Sequence, residues 1–290
     1  MSRRIALIGP GRIGQAVTRL LHDAGHDIVA VIGRDPARAK AAARFIGRGE
    51  AATTDQGAVS AADLVLFALP DDLIGATAAH LRRSGRLTEG TVLVHFSGLH
   101  PANILLGEEG PALGALSIHP LQTFADAVVG VRNLPGTPCA IEGEAALLPL
   151  AEALVADLGG RPFVIDRQHK PLYHAAACVA SNYLVALTNA ACELLGGCGY
   201  RREEAFELLS PLLRGTLNNL VTLGPVAALT GPISRGDTHT VVRHLQALEP
   251  FSADLNALYR ALGRQTATVA REKGTLDSAA EAKLRSLLEP

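Results

Sequence analysis

From Arg4 to Ile165 the chain alternates short apolar runs with longer stretches in which apolar residues recur every three or four positions. The runs read IALIG, DIVAVIG, ADLVLFALP, TVLVHFSG, GALSIHP and RPFVID, and helix-like pieces such as GQAVTRLLHDAG and PARAKAAARFIG lie between several of them. This is the rhythm of βαβ units. It predicts an α/β domain over residues 1–165, built on a doubly wound parallel sheet of Rossmann type. After DRQHK the strand signals stop, and PLYHAAACVASNYLVALTNAACELLGG, REEAFELLSPLLRGTLNNLVTLG, DTHTVVRHLQAL and SADLNALYRALGRQTATVAREKG follow. Each is rich in good helix formers, so residues 166–290 are expected to form an all-helical domain.

Composition narrows the range of partners. The 290 residues are 48% hydrophobic, enough for two domains with real cores. The 27 basic and 28 acidic residues leave a net charge of −1, which gives no reason to expect nucleic acid or an anionic membrane. A small-molecule substrate is the expected partner. The N-terminal MSRRIALIG meets Gly9 and Pro10 too soon for a signal-peptide core, and no segment reads as an uninterrupted membrane span, so the expected location is cytoplasmic. Cys139, Cys178, Cys192 and Cys198 have no CxxC spacing and are read as reduced and non-ligating; with no HExxH or paired Cys/His spacing, no metal is expected.

GPGRIG carries the first chemistry. Gly9, Gly11 and Gly14 have the GxGxxG spacing, with Pro10, Arg12 and Ile13 between them, directly after the run Ile5–Ile8 and at the start of a helical stretch. In that context Gly9 permits a tight turn, Gly11 lets backbone approach a pyrophosphate, and Gly14 lets helix and strand pack closely. The free N–H groups of the helix start then face the phosphates. The second run ends at Ile32, and Gly33 stands where an NAD enzyme usually carries its ribose carboxylate. Asp35 precedes Pro36 and is read as a helix N-cap, whereas Arg34 is free to grip a 2′-phosphate. NADP(H) is therefore the expected cofactor, with Arg38 a second candidate contact. Leu69 and Pro70 close another run at the ligand-binding edge, and capping is the expected task of at least one of Asp71 and Asp72.

GPGRIG, VIGRDP and ALPDD, followed by a helical second half, resemble the superfamily of 6-phosphogluconate, 3-hydroxyisobutyrate and prephenate dehydrogenases and pyrroline-5-carboxylate reductases. HFSG (95–98), SIHPLQTF (117–124), YHAAACVASNYLVAL (173–187) and LTGPISRGD (229–237) resemble a narrower group, Rossmann-like proteins with a C-terminal DUF2520 domain. The resemblance implies an NADP-binding domain, a helical domain through which two copies pair as a homodimer, and an active site in the cleft between domains. The 6-phosphogluconate and 3-hydroxyisobutyrate dehydrogenases place a catalytic lysine four residues before an asparagine. If Asn182 matches that asparagine, the lysine position holds Cys178, and Lys170 lies twelve residues away from Asn182.

Histidines then become the candidates for proton transfer. His119 precedes Pro120 after a sheet run, as in the His-Pro motif of prephenate dehydrogenases, and His174 lies eight residues before Asn182, about 80° from it around one helix. Either His119 or His174 is expected to supply the proton, with Asn182 and Ser97 as hydrogen-bond donors to the reacting group. In GPISRGD, Gly231 and Pro232 end a helix, Asp237 starts the next, and Arg235 is a candidate anion clamp. The expected activity is NADP(H)-dependent hydride transfer to or from a small carbonyl, hydroxyl or imine substrate. A non-catalytic NADP(H) sensor is the alternative, favoured by the cysteine at the lysine position.

Overall fold

The computed structural model describes residues 2–52, 58–107 and 112–289. The chain divides into two compact units, Met1–Tyr183 and Leu184–Pro290.

In the first unit eight strands form one sheet: β1 (Arg4–Ile8), β2 (Asp27–Ile32), β3 (Glu50–Ala52), β4 (Leu64–Phe67), β5 (Val92–His95), β6 (Gly114–Pro120), β7 (Pro138–Gly143) and β8 (Arg161–Val164), in the spatial order β3-β2-β1-β4-β5-β6-β7-β8. Every neighbouring pair is parallel except β6 and β7, which run antiparallel with Ser117 opposite Glu142. The expected α/β architecture is therefore present, on a mostly parallel but mixed sheet. Two strands fall outside the apolar runs: β3 is only three residues, Glu-Ala-Ala, and the apolar centre of β7 is confined to Cys139, Ala140 and Ile141. β8 is an exposed edge strand, where Pro162 costs no ladder bond that the core needs.

Alternation along each strand fills a core on both faces. Ile5 and Leu7 of β1 join one cluster, with Val17 and Leu21 of α1 (Arg12–Asp23) and Ile46 of α2 (Pro36–Ile46). Ala6 and Ile8 join the other, with Ile74 and Leu81 of α3 (Asp71–Arg83). Burial on both faces explains why the parallel strands read as continuous apolar runs. The shorter helices α4 (Ala127–Asn133) and α5 (Leu148–Asp157) precede β7 and β8, and α6 (Lys170–Ala180) completes the unit.

The expected single helix through PLYHAAACVASNYLVAL is broken. α6 ends at Ser181, whose φ of −117° and ψ of −68° depart from helical values, and α7 (Asn182–Gly196) starts afresh. A straight 100° step per residue therefore does not relate His174 to Asn182. The stretch Arg167–Gly196 contains an 18-residue window with a mean hydropathy of 1.3, long and apolar enough to cross a membrane by length and composition alone, contrary to the expectation that no segment is.

The second unit contains α8 (Arg202–Ala228), α9 (Thr238–Leu248), α10 (Ala253–Lys273) and α11 (Ser278–Leu287). Its core includes Ile233, Val241, Ala267, Ala270 and Leu284. α8 is interrupted at Gly224, whose φ of +78° only glycine adopts without strain. Asp237 caps α9 as expected, accepting from Thr240 N.

The two first glycines of GPGRIG differ in what surrounds them. Gly9 has φ of +88°, and a Cβ there would lie 2.4 Å from Ala68 O, whereas a Cβ on Gly11 meets nothing within 4 Å. Gly9→Ala should cost about 2 kcal/mol or more of stability in urea denaturation, and Gly11→Ala should stay within about 0.5 kcal/mol of the parent.

Candidate functional site

The order of the strands reverses beside β1, between its neighbours β2 and β4, and this is where open α/β sheets receive ligands. A cavity of about 810 Å3 opens there, lined by Gly9, Pro10 and Gly11 after β1, Gly33, Arg34 and Asp35 after β2, Leu69 and Pro70 after β4, and Arg38. The turn has its shape for stated reasons. Gly9 N donates to Ile32 O, Gly11 N donates to Gly9 O, and Gln15 Nε2 holds Pro10 O at 2.8 Å. A Cβ on Gly14 would lie 2.5 Å from Gly9 O, so this glycine serves packing, and Ile13 packs against the core. Arg12 is exposed at the first position of α1.

Asp35 is committed to capping α2, accepting from Ala37 N at 2.8 Å and Arg38 N at 3.3 Å. Arg34 is exposed and has no hydrogen bond or ion pair among the described residues. Arg38 lies 3.6 Å from Asp35, an exposed pairing that leaves its guanidinium available. The room above Gly11 and the free Arg34 fit a dinucleotide with a 2′-phosphate. Asp71 and Asp72 do not cap α3: Pro70 is the N-cap, and the two carboxylates occupy the first turn. Pro70 takes the cap position because its extended backbone ends the strand connection, leaving the aspartates to complement the helix dipole.

Farther along the same edge of the parallel strands lies a second group. Lys170, the first residue of α6, is fully buried, and its Nζ donates to Ser117 Oγ at 2.7 Å and Ser97 O at 3.3 Å. The turn before it is set by Asp166, which accepts from Gln168 N at 2.9 Å. Burial lowers the Lys170 pKa to about 8, while Glu142 and Asp71 oppose the fall. Glu142 is itself buried on β7, where it accepts from Ala102 N at 2.6 Å.

Two imidazoles near the ammonium, those of His95 and His119, are neutral. Burial first, and the Lys170 charge second, bring His119 down to about 4 and His95 to about 3. His119 Nδ1 is 2.7 Å from Tyr173 Oη, and burial pushes that phenol up to about 12, so it keeps its proton. The His119 and His174 rings meet edge-on with centroids 6.2 Å apart. Both lie against Gly98, where a Cβ would come within 2.8 Å of His174 Cδ2 and 3.0 Å of His119 Nε2.

His119 and His174 are thus together, and Ser97 lies beside them. The Ser97 hydroxyl is buried and accepts from Leu99 N and His100 N, so it shapes the turn, while its carbonyl faces Lys170. Asn182 is exposed at the start of α7. Arg235 is exposed on a turn of the second unit. Lys170 is the residue that sequence reasoning set aside, because spacing was counted from Asn182. It lies four residues before His174, so the two share one face of α6. Among the described residues no group of His, Cys, Asp or Glu is arranged to hold a metal, and the four cysteines are free.

Residues 4–96 match the family described as NADP oxidoreductase, coenzyme F420-dependent, and residues 137–266 match the domain of unknown function DUF2520. No curated protein matches the sequence. A solved protein from Thermotoga maritima is 27% identical with a TM-score of 0.75, covering 93% of this chain and 99% of its own. A candidate NADP oxidoreductase from Bacteroides fragilis is 25% identical with a TM-score of 0.73, covering 92% and 98%. A 1-pyrroline-5-carboxylate reductase from Streptococcus pyogenes, 19% identical with a TM-score of 0.63 over 98% and 99% of the chains, shares the fold. The glycine turn and its cavity lie in the segment that is similar to NADP-oxidoreductase domains, and most of the helical part lies in the segment that is similar to DUF2520 domains.

Proposed function

We propose that the protein is an NADP(H)-dependent oxidoreductase that transfers hydride to or from a small carbonyl, hydroxyl or imine substrate. The observation that carries this reading is Lys170: a fully buried ammonium held by Ser97 after β5 and Ser117 on β6, farther along the sheet edge that carries the glycine-turn cavity, with a pKa of about 8. A donor with that pKa is protonated at neutral pH yet gives its proton up readily, which is what general-acid work requires. Bound NADPH supplies the hydride. Gly9, Pro10 and Gly11 receive its pyrophosphate, Arg34 its 2′-phosphate, and Lys170 holds and donates the proton that the reduced substrate atom takes up. His119, neutral and tied to Tyr173, is a hydrogen-bonding group for the substrate rather than the acid; His174 shares that wall. Lys170 favours turnover over the alternative of a sensor without it, which rested on a cysteine at the lysine position.

The cofactor half of the reading is tested by nicotinamide fluorescence titration. NADPH should bind much more tightly than NADH, and Arg34→Ala should weaken NADPH about 10- to 100-fold while leaving NADH nearly unchanged. Equal losses for both would remove Arg34 from the phosphate role.

The acid is tested once a screen of carbonyl and imine compounds with NADPH finds turnover. Lys170→Met should lower kcat by about 10²- to 10⁴-fold with NADPH affinity retained. Reduction needs the charged form of Lys170, so kcat should be level below about pH 7 and decline as the pH rises through the lysine pKa of about 8. A profile that already declines as the pH rises through about 4 would point instead to His119 as the acid.

A homodimer through the helical unit is part of the same proposal. α7 and α8 expose Val185, Leu208, Leu212, Val221 and Leu223, and Val221 is 89% exposed. Apolar side chains repeated along two helices are costly to leave in water. Light scattering after gel filtration should give twice the chain mass, and Leu212→Glu with Val221→Glu should shift it toward the monomer.

A further inference from the structure

The turn from Phe96 to Ala102 is fastened from below by two buried side chains that the proposed reaction does not use. His95, at the end of β5, has 0% exposure. Its Nδ1 accepts from Ser97 N at 3.1 Å, which places the ring proton on Nε2, and Nε2 donates to Pro101 O at 3.2 Å. One neutral tautomer thus closes both ends of the turn. Glu142 secures its far end through Ala102 N. Between these fastenings Ser97 Oγ holds the amides of Leu99 and His100, and Ser97 O projects toward Lys170 and also accepts from Ser117 Oγ at 3.2 Å.

An ammonium has three N–H groups, and a buried one is costly unless acceptors receive them. Two of the Lys170 donors have protein acceptors, Ser117 Oγ and Ser97 O; the third has none among the described residues. The direction of that third N–H is set by where the two acceptors stand. Ser117 is fixed by the β-ladder, in register with His95 on one side and Glu142 on the other. Ser97 O is fixed by the turn, with Ser117 Oγ donating to it at 3.2 Å.

We infer that His95 is a positioning residue: by locking the 96–102 turn in one tautomer-specific geometry, it presents the Ser97 carbonyl to Lys170 and so aims the remaining ammonium proton at the substrate. Glu142 is the second fastening and supplies the compensating charge. The inference rests on Lys170 being the proton donor of the proposed reaction. The titratable and charged groups facing Lys170 are His95 on β5, His119 on β6, Glu142 on β7 and Asp71 on α3, with Tyr173 and His174 on its own helix. Both His95 and His119 are neutral at physiological pH, so replacing His95 removes hydrogen bonds and no charge.

The test needs neither cofactor nor substrate. The chain has four lysines, Lys40, Lys170, Lys273 and Lys283, so a pH titration of the full-length protein with 13C-labelled lysine follows each ammonium, and Lys170→Met assigns the buried one. The variants are His95→Leu, which loses both bonds, and His95→Asn, whose carbonyl can take the place of Nδ1. In His95→Leu the Lys170 titration should fall by about one pH unit, because the ammonium loses a charge-assisted acceptor. Hydrogen exchange of the Ser97 amide should accelerate at least tenfold. His95→Asn should recover most of both effects. An unchanged Lys170 titration in His95→Leu, or equal shifts in the two variants, would overturn the inference. So would a rise toward the ordinary lysine value, since His95 would then be shielding Lys170 from water and not presenting its acceptor. Failure of NADPH to bind would sink the proposed function and leave this titration result as it stands, so the two failures are distinguishable.

Discussion

A lysine ammonium taken fully out of water has to be met by oxygen atoms, and much of the first unit's local structure follows from meeting that demand. Ser117 stands on β6 in register with His95 and Glu142 on the flanking strands, and the chain after β5 is turned so that Ser97 offers a carbonyl. Burial of a charge is tolerated only with such compensation, and the same burial brings the lysine's pKa to about 8. The neighbouring imidazoles are kept neutral by the same shortage of water and by the same charge. Structural cost and chemical readiness are here one quantity, since the desolvation that opposes folding is what makes the proton transferable.

The glycine turn solves a different problem. There the demand is for space, and it is met by residues without side chains: Gly9 because backbone from β4 lies against it, Gly14 because helix and strand touch, Gly33 because Pro10 would collide with a Cβ 2.9 Å away. Gly11 alone of these has nothing near it, so the room above it belongs to whatever the turn receives. Sequence spacing conveys this part well, because each glycine in GPGRIG answers a local steric requirement that chain position determines.

The lysine cluster was far less legible, and the reason is physical. Ser97, Ser117, Glu142 and Lys170 are brought together by strand register and by one turn, none of which appears as a spacing along the chain. His119 and His174 could be picked out as reactive residue types, but the neutrality of His119 comes from burial and from Lys170, which composition does not reveal. The helix break at Ser181 had a similar effect, since an unbroken apolar stretch invited counting from Asn182 and placed the lysine out of reach. β3 and β7 escaped notice because a strand of three residues, or one with only a three-residue apolar centre, has too little periodicity to register. The parallel strands, buried on both faces, announced themselves.

The end of the strand rhythm at Val164 and the end of the first compact unit at Tyr183 do not coincide, and the stretch between them carries Lys170, Tyr173 and His174. A gene fragment trimmed where the last strand stops would keep the glycine turn and discard the buried lysine with the tyrosine and histidine beside it. The heritable module is therefore the longer piece. Replacing the remaining helices would leave both the glycine turn and the lysine cluster intact, because each is built wholly within the longer piece.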